Sequence, residues 1–492
     1  MDAGLRPTDW TDGAAVAETH VSVVFFVGDR AYKLLKPIRT DFLDHSTVER
    51  RQDAVRREVE LNRRVAPDVY LGTAEVELGG PDREPVIVMC RMPGDRRLER
   101  LVAKDDASDC LRHVAKTIAA LHAGTPSSPD ISAAATPEAV RALWETNVAE
   151  TRLLAGDGGV GRGRIDAVGA LGRRYLAGRA SLLEERVEAG LARDGHGDLQ
   201  AADIFCLDDG PRILDCLAFD EGLRHGDVLS DVAFLAMDLE RLGHAAAADA
   251  FMRWYREFSF ELHPRSLEHY YVAYRALVRT KVALLRAEQG GRAAAMLAGD
   301  YLAVAEERLR RGGVRLALIG GPPGVGKSTL AQTLSDATGA SIVRSDALRK
   351  EIEGLGQTER ADASFEQGLY RPALTGRVYR EMLARAGGLL RLGRNVILDA
   401  SWRSEAARGD ARRLAADAHA DIVEVRADCP REVAADRIRA RAAAGTDPSD
   451  ADVDVADRLR EAFEPWPAAH DVDTSRAVED SVRSATEIFG PT

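Results

Sequence analysis

The stretch "GGPPGVGKST" (residues 320–329) decides how the second half of this 492-residue chain folds. It follows the apolar run "RLALIGG", read as a strand, and a helical pattern opens at Lys327. Within it, residues 321–328 satisfy G-x-x-x-x-G-K-[ST] in the strand-to-helix setting that this spacing requires. Gly321, Gly324 and Gly326 admit backbone conformations that turn successive amide N–H groups toward phosphate oxygens, and the helix start adds positive potential. Lys327 is placed to reach the β- and γ-phosphates, and the Ser328 hydroxyl to ligate Mg²⁺. Pro322, Pro323, Val325 and Thr329 complete the expected ATP-binding stretch.

Outward from this motif, strands and helices alternate from residue 315 to the end: "ASIVRSD", "RNVILDAS", "ADIVEVRAD" and "HDVDTS", each followed by a helical pattern. Such alternation predicts a parallel sheet wrapped by helices. "IVRSDALRK" and "VILDAS" resemble the small-kinase branch of P-loop proteins, which includes zeta-toxin-like, gluconate-type and polynucleotide-type kinases, over residues 312–492. The resemblance implies that Asp346 acts as base toward an acceptor hydroxyl and that Arg349 binds substrate or phosphate. It makes Asp399 the second Mg²⁺-linked carboxylate. Asp346 also reads as a cap of the helix that follows it. In "DRIRARAAAG", Arg437 and Arg441 share a helix face and suit a lid that neutralises the transferring phosphoryl group; with Arg439 they equally suit a solvated basic face. The acidic, turn-rich residues 445–457 read as a mobile surface loop.

Upstream, "VSVVFFVGDRAYKLLK" (21–36) is two strand-like runs around Gly28-Asp29, a hairpin signal. A helix is expected from about Thr47 to Val65, then a second hairpin from "TAEVEL" through "GGPD" to "EPVIVMCRM". Together these predict a small α+β lobe over about 18–95, followed by a helical lobe over about 96–311. "RLRRGGV" closes the last long helix, which places a domain boundary near residue 312.

The helical lobe is interrupted by "HGDLQAADIFCLDDGPRILD" (196–215), whose "DDGP" signals another hairpin. His196, Gly197, Asp198 and Leu199, with Asp215 after the hairpin and Asp227 and Asp231 in "HGDVLSDVAFLAMDLE", resemble the aminoglycoside phosphotransferase group of the protein-kinase-like fold over roughly residues 18–290. The resemblance implies that Asp198 orients and deprotonates an acceptor hydroxyl, while Asp215 and position 203 ligate Mg²⁺. Lys33 then pairs with α- and β-phosphates and is held by Glu58, with Lys36 and Glu60 as competing choices. Adenine is expected near residues 88–92. The chain departs from the pattern twice: Asp203 stands where the group has Asn, and "FVGDRAY" is not a Gly-rich phosphate-covering loop.

The bulk composition fits this reading. At 45% hydrophobic and 30% charged the chain belongs with globular proteins, and its length calls for more than one core. The formal charge of −12 argues against nucleic acid as partner. Five scattered cysteines without C-x-x-C suggest reduced thiols. Neither a signal peptide nor a membrane span is apparent, so a cytoplasmic protein is expected. No zinc pattern appears; His122 reads as a helix-end residue, and "FMRWYREFSF" (251–260) as core or interface. The whole arrangement resembles bacterial bifunctional proteins in which an aminoglycoside phosphotransferase-like domain precedes an AAA-type ATP-binding domain. It implies an ATP- and Mg²⁺-dependent kinase acting on a small hydroxylated metabolite through two ATP sites. The alternatives are a P-loop kinase for nucleic acid ends or a nucleotide sugar, or one domain that only senses ATP and regulates the other.

Overall fold

The computed structural model describes residues 15–19, 21–39, 43–77, 83–156, 160–288, 292–355, 371–444 and 453–491. The chain divides into two compact units, one of Met1–Ala170, Leu183–His263 and Tyr270–Arg308, the other of Leu171–Leu182, Pro264–His269 and Leu309–Thr492.

The first unit opens with an antiparallel sheet of β1 (Ala15–Glu18), β2 (Ser22–Val27), β3 (Arg30–Leu35), β4 (Tyr70–Glu77) and β5 (Arg83–Cys90), ordered β1-β2-β3-β5-β4. Val27 pairs with Arg30, so Gly28-Asp29 forms the two-residue turn, and Gly28 takes the left-handed φ of +57° that such a turn needs. The helix Val48–Asn62 starts at Thr47, whose hydroxyl accepts the Arg50 N–H at 3.3 Å. Its Val55 and Val59 pack on Ala31, Leu35, Ile87 and Met89. Side chains two apart on a strand share a face, so Lys33 points the same way as Ala31 and Leu35, toward this helix.

The rest of the unit is helical, as expected, with two short antiparallel pairs: β6 (Ala192–Asp194) with β9 (His225–Asp227), and β7 (Ile204–Leu207) with β8 (Gly210–Ile213). Phe251, Met252 and Tyr255 are buried on the helix Ala245–Ser259, whereas Phe260, just past its end, is exposed. The expectation of five reduced thiols fails here. Packing of the helix Ser108–Gly124 near β7 brings Cys110 and Cys206 to a Cα separation of 5.6 Å, and they are disulfide-bonded. At 96 residues apart in sequence, no local spacing could have revealed the pair.

The second unit carries five parallel strands: β10 (Arg315–Gly320), β11 (Ser341–Arg344), β12 (Val396–Asp399), β13 (Asp421–Asp428) and β14 (His470–Asp473), ordered β11-β12-β10-β13-β14. β10 is central and buried throughout, which is why "RLALIG" is continuously apolar after its arginine rather than alternating. Helices follow each strand in turn, and the carboxyl ends of the parallel strands β10, β11 and β12 lie on one side of the sheet, the side where ligands of open parallel sheets bind. One local reading is corrected. Residues 453–457, read as the end of a mobile loop, belong to the helix Val453–Glu461; residues 445–452 lie outside the described residues. Among the described residues no helix is long and apolar enough to cross a membrane.

Candidate active sites

In the second unit, Gly321, Gly324 and Gly326 adopt φ of +136°, +85° and +91°. A Cβ at Gly321 would overlap the Ala427 carbonyl oxygen, and one at Gly324 would lie 2.7 Å from that of Ala434. The loop is therefore a cradle only glycine can form at these points. Gly321 N–H donates to Ser401 O at 3.1 Å, and the helix Lys327–Thr338 begins after Gly326 with no side chain capping its first amides. Those uncapped amides are the donors an anion would use. Pro322 and Val325 are buried, Thr329 is exposed, and Lys327 Nζ rests on Pro322 O at 3.0 Å.

Asp399, at the end of β12, is buried beside Lys327 and Ser328. Burial raises its carboxyl above the ordinary value, against the pull of Lys327 and of a hydrogen bond from Ser328, and with a push from Asp346. The hydroxyl and the carboxylate are thus a hard oxygen pair suited to a divalent cation next to the cradle. Asp346 lies inside the first turn of the helix Ser345–Ile352 and pairs with Arg349 at 2.9 Å; Arg344 holds the cap position, so Asp346 does not cap this helix. Arg437 reaches the loop: its Nη2 donates to Thr474 O at 2.7 Å, and the Thr474 hydroxyl donates in turn to Val325 O. Arg439 instead pairs with Asp436 on the exposed side. The Arg441 side chain lies outside the described residues.

In the first unit, Lys33 Nζ donates to Glu58 Oε1 at 2.8 Å and to Asp215 Oδ1 at 2.6 Å. The competing Lys36 lies just past the end of β3 and is taken up by Glu18 at 2.6 Å, and Glu60 is exposed. Burial alone would lower the Lys33 ammonium, but Asp215 and Glu58 outweigh it and hold it well above its ordinary value. Lys33 in turn pulls Asp215 below the usual carboxylate value. Asp215 adopts a left-handed φ of +65°, and its N–H donates to the Tyr70 hydroxyl at 3.2 Å.

Asp198 is aimed by its neighbours. Asp231 accepts the His196 N–H at 2.8 Å and the Gly197 N–H at 2.7 Å, which fixes the turn just before Asp198. His122 Nε2 lies 3.0 Å from Asp231, and His122 Nδ1 lies 2.8 Å from the Tyr255 hydroxyl. Burial pushes Asp198 up to about 6, with Arg279 and Arg275 opposing and Asp215 adding to the rise. Asp203 is raised well above its ordinary value by burial and by Asp215 and Asp198. These three carboxylates share one electrostatic neighbourhood. No group of three or more His, Cys, Asp or Glu among the described residues could hold a metal ion by itself. Asp203 and Asp215 can supply two of a Mg²⁺ ion's six oxygens, leaving phosphate and water to supply the rest.

Sequence reasoning missed His122, Tyr70, Arg275 and Arg279. His122 carried a signal: it follows Ala115 and Ile118 on the buried face of the helix Ser108–Gly124, an unusual place for an unpartnered imidazole. The arginines carried none, since the chain is rich in arginine throughout.

Over 476 residues the chain is 40% identical to Uncharacterized protein Rv2004c of Mycobacterium tuberculosis (strain H37Rv), a match covering 96% of this chain and 95% of that one. The chain belongs to the Rv2004c family. Uncharacterized protein Mb2027c of Mycobacterium bovis matches this Rv2004c-family chain with the same identity and coverage. The model of the AAA domain family matches residues 316–466, the stretch that holds the glycine cradle. Among solved structures, a choline/ethanolamine kinase family protein from Mesorhizobium loti is similar at 15% identity and TM-score 0.37, covering 61% of this chain and 87% of its own. The Mycobacterium tuberculosis APS kinase CysC in complex with AMPPNP and APS is similar at 20% identity and TM-score 0.27, covering 36% and 97%.

Proposed function

We propose that this protein is an ATP- and Mg²⁺-dependent phosphotransferase with two nucleotide sites. One lies in a kinase-like domain of about residues 1–311 and the other in a P-loop kinase domain of about 312–492. The observation that carries the reading is Lys33 bridging Glu58 and Asp215 beside Asp198. Four residues from four separate elements converge on the arrangement that phosphoryl transfer needs: a cation for phosphates, an anchor for that cation, a metal carboxylate and a base.

At this site Lys33 would hold the α- and β-phosphates, Glu58 would keep the ammonium in place, and Asp203 and Asp215 would hold Mg²⁺. Asp198 would orient the acceptor hydroxyl and take its proton as the oxygen attacks the γ-phosphorus. At the other site, the amides of residues 324–329 and Lys327 would hold the phosphates, with Gly321, Pro322 and Pro323 shaping the loop, and Ser328 and Asp399 would hold Mg²⁺. Asp346 would act as base, and Arg349 and Arg437 would stabilise charge on the transferring group. Bound Mg²⁺ would neutralise phosphate charge in both sites. Acceptors are read as small hydroxylated metabolites.

The test is transfer of γ-labelled phosphate from ATP to a panel of sugars, aminoglycosides, nucleosides and oligonucleotide ends, comparing wild type with Asp198→Ala and Lys327→Ala. Loss of different acceptors in the two variants is the expected result. If Asp198→Ala transfers as wild type does to every acceptor, the first site is a binding or regulatory site and the two-kinase reading is wrong.

A further inference from the structure

We propose that Asn62 and Tyr70 are positioning residues that hold the main chain at Asp215 and Cys216 and so aim the Asp215 carboxylate at a divalent cation. The inference rests on the reading of Asp215 as a metal ligand and adds two residues to that site.

The Asp215 side chain is 54% exposed, so packing does not fix its direction. Lys33 Nζ meets its Oδ1 at 2.6 Å, but in the proposed mechanism that ammonium goes to phosphate. What then aims the carboxylate is the main chain. Its φ of +65° is uncommon for residues other than glycine, although Asp is better suited to it than most. Such a conformation persists where the surrounding structure over-determines it.

Two side chains from the small lobe do so. The Asp215 N–H donates to the Tyr70 hydroxyl at 3.2 Å, and the Cys216 N–H donates to Asn62 Oδ1 at 2.8 Å. These amides belong to the two peptide planes on either side of the Asp215 Cα, and holding both planes holds its φ and ψ. To either side the main chain serves itself: the Leu214 N–H donates to Asp203 O and the Leu217 N–H to His196 O, both at 3.0 Å.

The clamp is itself well anchored. Asn62 is fully buried, and its Nδ2 donates to Glu58 O at 2.8 Å, one turn back on the helix Val48–Asn62. With the amide nitrogen committed to a carbonyl, the amide oxygen is the end that must face the Cys216 N–H. The same helix thus presents Glu58 to Lys33 and Asn62 to the metal-ligand turn. Tyr70, buried at the start of β4, is held by Arg63 Nε, which donates to Tyr70 O at 2.7 Å. Arg64 closes the far side, its Nη2 donating to Gly195 O at 2.8 Å and to Cys216 Sγ at 3.3 Å. Cys216 is buried too, so loss of the Asn62 oxygen would strand its N–H. The turn would have to rotate to find another acceptor, and the carboxylate would rotate with it.

The test uses the full chain carrying Lys327→Ala and Ser328→Ala, so that the P-loop site loses its proposed phosphate cation and metal hydroxyl. Affinity for a fluorescent, non-hydrolysable ATP analogue is measured with Mg²⁺ and with EDTA; the gain that Mg²⁺ gives reads the metal site without turnover. Asn62→Ala should lose about tenfold or more of the affinity in Mg²⁺ while its metal-free affinity changes by less than about twofold, as expected for an outer partner of a metal ligand. Tyr70→Phe, which keeps its ring in the core, should show a smaller loss in the same direction. If a thermal scan shows that Asn62→Ala does not fold, Tyr70→Phe decides alone. Undiminished affinity in Mg²⁺ would overturn the proposal, and so would a loss shared equally by the metal-free affinity, which marks a purely structural role. Asp215→Asn separates this inference from the reading beneath it. If that variant abolishes the Mg²⁺ gain while the Asn62 and Tyr70 variants keep it, the clamp is wrong and the metal ligand stands. If Asp215→Asn keeps the gain, Asp215 is not a metal ligand and both fall.

Discussion

In the C-terminal unit the groups proposed to face phosphate come from residues 321–329, whereas in the N-terminal unit Lys33 and Asp215 meet across 182 positions of sequence. The first site is a shape made largely by main chain, whose amides are joined by one side-chain cation, Lys327. The second is a set of charges made by side chains, each held by another: Lys33 by Glu58, Asp198 by the turn that Asp231 pins, and Asp231 by His122. A site built largely of backbone should therefore break by steric change even with its charges intact, and a side-chain site by loss of charge with its shape intact.

The largest expected effect tests the backbone half. Gly321→Ala places a methyl group against the Ala427 carbonyl at a φ of +136°, where a residue with a side chain is strained in any case. Neither the carbonyl nor the loop can yield without breaking strand β13 or the cradle. Nucleotide affinity at the P-loop site should fall by more than about a hundredfold, and the second unit should lose about 3 kcal/mol. Fluorescent-nucleotide titration and denaturant melts read the two effects. An Ala variant that binds nucleotide normally would mean that the loop does not depend on glycine at this point.

A smaller effect separates the units by redox state. Cys110–Cys206 joins two residues of the first unit that lie 96 apart in sequence, while Cys429 of the second is a free buried thiol. Reduction should destabilise the first unit by about 3 kcal/mol and leave the second unchanged, because only the first loses a cross-link from its unfolded chain. Calorimetry with and without dithiothreitol, alongside Cys110→Ser, should show one transition falling by several degrees and the other staying in place. Two transitions that fall together, or neither, would remove this distinction between the units.

The same contrast explains what the sequence revealed. The P-loop was legible because its determinants are contiguous, and the parallel sheet because strand and helix periods alternate from residue 315 onward. The choice between Lys33 and Lys36 looked open, yet period-2 alternation with Ala31 and Leu35, which the core buries, is the physical reason that Lys33 meets Glu58. Asp231 could be matched by resemblance, but its two hydrogen bonds to the His196 and Gly197 amides and its His122 partner depend on tertiary packing. The disulfide lay beyond any local pattern, as did the influence of Arg275 and Arg279 on Asp198. Residues 453–457 misled because acidic, turn-prone composition outweighed the helical period that continues through Val453–Glu461.

The smallest expected effect concerns protons at Asp198. Burial, opposed by Arg279 and Arg275 and aided by Asp215, puts its carboxyl at about 6, above the usual carboxylate range. Only the unprotonated form can accept the hydroxyl proton, so transfer at this site should be level above about pH 7 and fall as pH drops through 6, approaching tenfold per unit further down. Replacing Arg279 by Gln removes a cation that favours the carboxylate, so the acid limb should move to higher pH. Measured as kcat/KM in the Lys327→Ala chain, a profile that stays flat down to pH 5 would show that Asp198 does not take the proton. A limb that moves to lower pH in Arg279→Gln would show that the guanidinium does not favour the Asp198 carboxylate. In the Lys327→Ala chain such a profile reports on the side-chain site, because the P-loop site, which has its own candidate base in Asp346, is impaired.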